Sequence, residues 1–153
     1  MAEIRKATLN DVDAMVICGR QFYRFGGFAD KGLPMSEQDL IGFIAHTIES
    51  DFAVSLVAED NGQIIGGITG LIFPWFLDFK HMMLQETWFW MLPAYHGSGT
   101  GSKMLQAFED AGKAAGVKHV LMITLDAPHE DRLEQYYKKM GYTHLEHQFI
   151  KEI

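Results

Sequence analysis

The hydrophobic pattern of this chain changes period several times, and each change predicts an element. Residues 4–7 read as a short strand. Thr8 and Asp11 have capping-box spacing, and behind them Val12, Met15, Val16, Gly19, Phe22 and Tyr23 fall on one helical face that Gly26-Gly27 closes. Ser36 and Asp39 repeat the capping pattern ahead of Leu40, Ile41, Ile44 and Ile48, which predicts a second helix reaching about Glu49. Residues 52–59 alternate, Asn61-Gly62 has the composition of a type I′ hairpin turn, and residues 64–72 return as the antiparallel partner. A run rich in aromatics, from about Met83 to Leu92, reads as a fourth strand. Residues 104–115 place Leu105, Phe108, Ala111, Gly112 and Ala115 on one helical face and stop at Gly116. Residues 119–125 form an apolar fifth strand, parallel to the fourth because a helix bridges the two. A fourth helix over residues 130–140 has Leu133, Tyr136, Tyr137 and Met140 at core spacing, and residues 142–148 and 149–153 alternate as one or two last strands.

Two apolar stretches fall outside this scheme. Phe25, Phe28, Leu33 and Met35 lie between the first two helices and either pack beneath that connection or line a pocket. Residues 73–81 hold Pro74, Trp75, Phe76 and Phe79 among charges, which predicts a bulging surface loop and a candidate wall for a substrate site. At 153 residues the chain fits a single domain, 1–153, able to bury a core without covalent staples. Cys18 is the only cysteine, which excludes an internal disulfide and a cysteine-based zinc site. His144 and His147, three apart on a predicted strand, should face opposite ways, leaving no metal site. Glycines and Pro74 interrupt the longest apolar run, and no apolar stretch follows the first charged residues, so a cytoplasmic protein with no membrane partner is expected. The formal net charge of −7 argues against nucleic acid as a partner and is compatible with a cationic amine.

The candidate chemistry centres on residues 95–103, Tyr-His-Gly-Ser-Gly-Thr-Gly-Ser-Lys, set between the aromatic strand and the third helix. Glycines at alternate positions let the backbone approach a ligand closely, and the N–H groups opening a helix favour an anion, so a phosphate or pyrophosphate is expected there. Spacing excludes two phosphate-binding motifs. A Walker loop needs Gly-Lys-Ser/Thr after four residues, and a dinucleotide fingerprint needs a third glycine at the sixth position; Ser102 occupies the deciding place in both. Asp126 and His129 follow the fifth strand, but Ser98 lies in no G-x-S-x-G elbow, which argues against a hydrolase triad.

The same stretch resembles motif A of the GNAT superfamily of N-acetyltransferases, Arg/Gln-x-x-Gly-x-Gly/Ala, with Gly99 and Gly101 as the required small residues and His96 where the family carries Arg or Gln. The Ile-Arg-x-Ala-Thr opening at residues 4–8, Pro93-x-Tyr95, and Tyr137-x-x-x-Gly141-Tyr142 add ordered matches, so the resemblance covers nearly the whole chain. The Glu86-x-x-Phe89-Trp90 strand and the tail from Phe149 resemble small bacteriophage members. Glu130 stands where many members carry Asn. The resemblance implies an α/β fold with a mostly antiparallel mixed sheet of six to seven strands, a parallel fourth and fifth pair, and about four helices. It implies acetyl-coenzyme A as co-substrate, its pyrophosphate on the loop of His96, Gly97, Ser98, Gly99, Thr100, Gly101 and Ser102, and its pantetheine beside Met91 and Leu92, one of whose N–H groups would hold the acyl oxygen. It implies Glu86 as general base, directly or through a water, and Tyr137 as general acid. Trp88, Trp90 and Leu92 share the predicted strand face of Glu86, apolar surroundings that raise a carboxyl pKa. Tyr136 lies about 100° around the helix from Tyr137, so Tyr136→Phe is expected to leave turnover alone. The acceptor would be a small-molecule or peptide amine, with a homodimer left open. The competing reading is a GNAT-like coenzyme A-binding or regulatory module without catalysis.

Overall fold

A computed structural model describes all 153 residues, Met1–Ile153. Five strands form one sheet in the order β1 (Glu3–Lys6), β2 (Ala53–Asp60), β3 (Gln63–Trp75), β4 (Asp78–Met91) and β5 (His119–Leu121). The first four run antiparallel to their neighbours, and β5 is parallel to β4. Four helices complete the mixed α/β fold: α1 (Val12–Phe25), α2 (Glu37–Glu49), α3 (Thr100–Ala114) and α4 (Glu130–Lys139).

The predicted local signals are in place. The Thr8 N–H and hydroxyl both donate to Asp11 Oδ2, at 2.7 and 3.0 Å, in the short turn that leads into α1. Ser36 Oγ accepts the Asp39 N–H at the start of α2. Asn61 and Gly62 both hold positive φ in the β2–β3 turn, as a type I′ hairpin requires. Arg5 on β1 donates to Asp11 at 2.8 and 2.9 Å and to Glu59 at 2.8 Å, tying the first strand to the helix start and to β2. That guanidinium holds the buried Asp11 carboxyl down at about 2.

Each face of the sheet has its own core. Leu56, Ile65, Ile68 and Leu84 pack against Met104 and Phe108 of α3 on one side. Val57 and Trp88 pack against Met15 and Val16 of α1 and Ile44 and Ile48 of α2 on the other. The β3–β4 register slips between Thr69 and Gly70, so that Thr69 pairs with Trp88, Gly70 pairs with Glu86, and Thr87 is the extra residue of a β-bulge. The bulge reverses the alternation of β4. Leu84 belongs to the α3 core, whereas Trp88 and Trp90 face α1 and α2, and the odd-numbered Phe89 and Met91 take over the α3 side. Glu86 therefore sits at the break between the two alternations and does not continue an unbroken Trp88–Trp90–Leu92 face.

Three predicted elements differ. Residues 73–81 are no surface loop: β3 runs to Trp75, β4 starts at Asp78, and only Phe76 and Leu77 turn between them. Pro74, which lacks an N–H for the ladder, sits at a register shift. The fifth strand ends at Leu121 instead of Leu125, and residues 142–153 form no strand, so the sheet has five strands where six to seven were expected. Alternation supplies a pattern, but a strand needs an edge to pair with, and β5 pairs over only three residues. His144 and His147 consequently do not face apart; their rings lie 5.4 Å apart, with His144 Nε2 3.2 Å from Glu134.

Gly70 lets the sheet meet α3. A Cβ there would stand 2.5 Å from Phe108 Cζ, 2.7 Å from the Gln85 carbonyl oxygen and 2.9 Å from Leu84 Cδ1. Gly70→Ala is expected to lower unfolding free energy by about 1–3 kcal/mol through overpacking. Gly42→Ala on α2, where an added Cβ meets nothing within 4 Å, should raise it by about 0.5–1 kcal/mol. Urea denaturation of both variants checks the pair.

Candidate active site

The site begins where two strands part. β5 pairs with β4 only at Met83, Leu84 and Gln85, while β4 continues to Met91. The Leu92 N–H donates to the Ile65 carbonyl at 2.8 Å across β3. Antiparallel alternation then turns the N–H and C=O groups of Met91 and Phe89 to the opposite edge, into the gap left by β5. A cleft of about 680 Å³ occupies this gap. Its walls come from β4, from the chain beyond β5 including Ile123, Leu125 and Pro128, from α4 through Leu133, Tyr136 and Tyr137, and from Phe22, Phe25 and Phe28 at the end of α1.

The glycine loop forms one end. Gly97 and Gly99 have φ of +77° and +84°, left-handed values that favour glycine, and Gly99 caps the N-terminus of α3. The loop's amides divide into two sets. Ser98 N–H donates to the Tyr95 carbonyl, and Thr100 N–H donates to Ser98 Oγ at 3.3 Å. The amides of Gly97, Gly99, Gly101 and Ser102 have no acceptor in the protein, and these four residues line the cleft, whereas Ser98 and Thr100 do not. Four unsatisfied N–H groups at the positive end of a helix make an anion cradle. His96 joins them differently: its Nε2 lies 2.8 Å from the Met91 carbonyl oxygen, which can only accept, so the proton is on Nε2. Of the predicted cofactor contacts, His96, Gly97, Gly99, Gly101, Ser102 and Met91 meet in one cleft. Leu92 lies outside it with its N–H spent on β3, and the side chains of Ser98 and Thr100 bond to each other.

Glu86 is 3% exposed, and its one bond is from the Ile123 N–H to Oε2 at 3.1 Å. The chain leaving β5 thus gives a backbone donor to this carboxylate, where a continued parallel ladder would give it to a β4 carbonyl. No cation pairs with Glu86, and burial pushes its pKa up from 4.5 to about 7. Tyr137 is also buried, and its hydroxyl has no partner in the protein. Burial first, then the charge of Glu86, raises its pKa well above the usual phenol value, so the hydroxyl stays protonated. Tyr142 donates to Glu109 on α3 at 2.6 Å and packs on Tyr137 at a ring distance of 5.5 Å, which fixes the end of α4. Tyr136 lines the same cleft, with its hydroxyl buried and unpartnered. The helix sits in a concave wall, so residues 100° apart both reach the cavity. Phe22 also lines the cleft, although its helical spacing reads as core.

Phe25 and Phe28 line the cleft, but Leu33 and Met35 do not. A larger groove, about 1050 Å³, runs along the other side of β5 and takes Trp75, Asp78 and His81, so the 73–81 segment does not wall the cleft. That groove includes neither the glycine loop nor Glu86. The smaller cleft joins the anion cradle to the buried carboxylate.

The sequence profile described as the acetyltransferase (GNAT) family matches residues 20–142. No curated protein sequence matches. Among solved structures, AAC(6′)-Iy in complex with the bisubstrate analogue CoA-S-monomethyl-acetylneamine superposes with a TM-score of 0.80 at 13% identity, covering 100% of this chain and 98% of that one. A predicted acetyltransferase with acetyl-CoA from Clostridium acetobutylicum gives 0.75 at 19% identity, covering 99% and 96%. A ribosomal-protein-alanine N-acetyltransferase from Brucella melitensis biovar Abortus 2308 gives 0.74 at 12% identity, covering 100% and 99%. At these identities the likeness is one of fold.

The unpaired carboxylate makes stability depend on pH. Below about 4.5 Glu86 is protonated in folded and unfolded chains alike. As pH rises toward about 7 the unfolded chain ionises while the folded one keeps its proton, so stability falls. The full penalty, on the order of 3 kcal/mol, is present above pH 7. Glu86→Gln removes this titration and keeps an acceptor for the Ile123 N–H. Urea denaturation should show the variant gaining on wild type between pH 5 and pH 7 and the gain levelling off above that; a constant difference would mean that Glu86 ionises as freely folded as unfolded.

Proposed function

Because the chain belongs to the GNAT acetyltransferase family, we propose that it transfers an acetyl group from acetyl-coenzyme A directly to a primary amine, with Glu86 as general base and Tyr137 as general acid. The observation that carries this reading is the juxtaposition of a buried carboxylate without a cation, a protonated phenol without a partner, and four free loop amides in one cleft.

The residues present fit coenzyme A. Its pyrophosphate needs N–H donors and room, and the amides of Gly97, Gly99, Gly101 and Ser102 offer donors beside glycines where an added Cβ at Gly97 or Gly99 would meet nothing within 4 Å. Its pantetheine amides need an unpaired strand edge, which Phe89 and Met91 present. Neighbours of the same fold are described with acetyl-CoA or with CoA bound. Acetyl-coenzyme A supplies the activated acyl group as a thioester.

The chain's own groups do the rest. An aliphatic amine arrives as an ammonium and must lose a proton before its nitrogen can attack. Glu86, held at about 7, has the proton affinity a base needs near neutral pH, and it takes that proton directly or through a water. The Met91 N–H, turned into the gap, donates to the acyl oxygen as charge gathers there. Leu92 is no alternative donor, because its N–H is committed to Ile65. The Tyr137 hydroxyl gives its proton or a hydrogen bond to the departing sulfur. A second reading, a coenzyme A-binding or regulatory module without catalysis, draws on His96 and Glu130, which replace the family's usual residues within the cleft.

Gly99→Val would force a β-branched side chain into φ +84° and into the cradle. Calorimetry with acetyl-coenzyme A should register a loss of binding, and wild-type affinity in this variant would remove the loop from the site. Glu86→Gln should bind the cofactor normally and lose about 10²-fold or more in turnover at neutral pH, with an amine already neutral at that pH recovering much of the loss. Tyr137→Phe should lower turnover with little change in melting temperature, since the lost hydroxyl bonds nothing in the protein. Tyr136→Phe removes a buried hydroxyl that also lacks a partner and should leave stability unchanged or higher. Wild-type protein that binds coenzyme A but releases no thiol with any amine would favour the second reading.

A further inference from the structure

The cleft away from the glycine loop is lined by rings. Phe25 lies 5.3 Å from Trp90 between ring centroids, and Phe22 lies 5.7 Å from Phe28. The Trp90 indole N–H is spent on Gln21 Oε1 at 2.8 Å, so the ring offers the cleft apolar surface and no donor. Phe25 is 40% exposed, and Phe22 and Phe28 are only half-buried, which leaves apolar surface in water inside a concavity.

Charge is scarce here. No lysine, arginine or aspartate lines the cleft, and its only carboxylates are Glu86 and Glu130. Glu86 has no cationic partner of its own, so one incoming ammonium would complete it. Only Glu130 is left for a second ammonium, and a third would have to leave water against phenyl rings with no carboxylate to pair with, which is costly.

We propose that the acceptor is a primary amine with a single ammonium on an apolar aromatic or aliphatic body, and that Phe22, Phe25, Phe28 and Trp90 select that body. The proposal rests on the acetyl-transfer reading above and narrows it: a polycationic aminosugar or polyamine does not fit this lining. No covalent step is added, and the amine is the nucleophile already described.

The test measures thiol release from acetyl-coenzyme A with 2-phenylethylamine, octylamine, neamine, spermidine and a tripeptide with a free N-terminus. The two apolar amines should exceed the others in kcat/KM by about 10²-fold, the scale on which a hydrophobic pocket discriminates. Phe25→Ala, a change at a partly exposed helix end, should raise KM for 2-phenylethylamine about tenfold or more with a smaller effect on kcat, while the affinity for acetyl-coenzyme A measured by calorimetry stays near wild type. Preference for neamine, spermidine or the peptide overturns this inference and leaves acetyl transfer standing. Binding of acetyl-coenzyme A with no transfer to any of the five amines overturns both. An unchanged KM in folded Phe25→Ala, with melting temperature as the check on folding, removes the aromatic wall from the selection.

Discussion

The constraint on which the rest depends is that β4 has a neighbour on both sides for only three residues. Backbone N–H and C=O groups taken from water need partners, and beyond Gln85 one edge of β4 has none from β5. The chain answers in three ways. The departing strand sends the Ile123 N–H to Glu86 instead of to a β4 carbonyl. The His96 ring caps the Met91 carbonyl. The remaining edge is left to the cleft, where an amide-bearing ligand can pair with it. Had β5 continued to pair with β4, Glu86 would lie beneath a closed sheet and the glycine loop would face no cavity.

Charge is handled in two opposite ways within one small domain. Arg5, Asp11 and Glu59 form a mutually paired set that ties β1 to α1 and β2, and the buried Asp11 is held ionised by it. Glu86 is buried without any such partner, and so keeps its proton up to about neutral pH. The first arrangement favours the folded chain, and the second works against it increasingly as pH rises from about 4.5 to about 7, and fully above that. A carboxyl meant to take a proton from an ammonium cannot already be neutralised by an arginine, so the unpaired state is what the proposed chemistry requires.

The two halves of the cleft are built from different material. The cradle consists of main-chain N–H groups and glycines, which depend little on side-chain identity. The opposite half consists of side chains, Phe22, Phe25, Phe28 and Trp90. Membership of the family therefore speaks to the donor end of the reaction and says little about the acceptor, which must be argued from this chain's own rings and carboxylates.

Local signals were legible in the sequence because each depends on residues a few positions apart. The capping pair Thr8–Asp11, the Asn61-Gly62 turn, the glycines before α3, and the helical stripes all satisfy backbone groups or φ requirements within one turn of chain. Glu86 and Tyr137 were also legible as candidates from their motifs, though not what surrounds them. The bulge at Thr87, the early departure of β5, the split of the loop amides into free and spent, and the entry of Tyr136 and Phe22 into the cleft were not legible. The amide split is set inside the loop, where Tyr95 and Ser98 accept two of the N–H groups; the others are decided by a neighbour distant in the chain: Thr87 by the register against Thr69 and Gly70, Ile123 by the carboxylate of Glu86, Phe22 by the gap between two strands. The tail after α4 makes the same point from the other side. Its alternation was real, but alternation only says which side chains would share a face, and whether a strand forms is settled by an edge that another part of the molecule must provide.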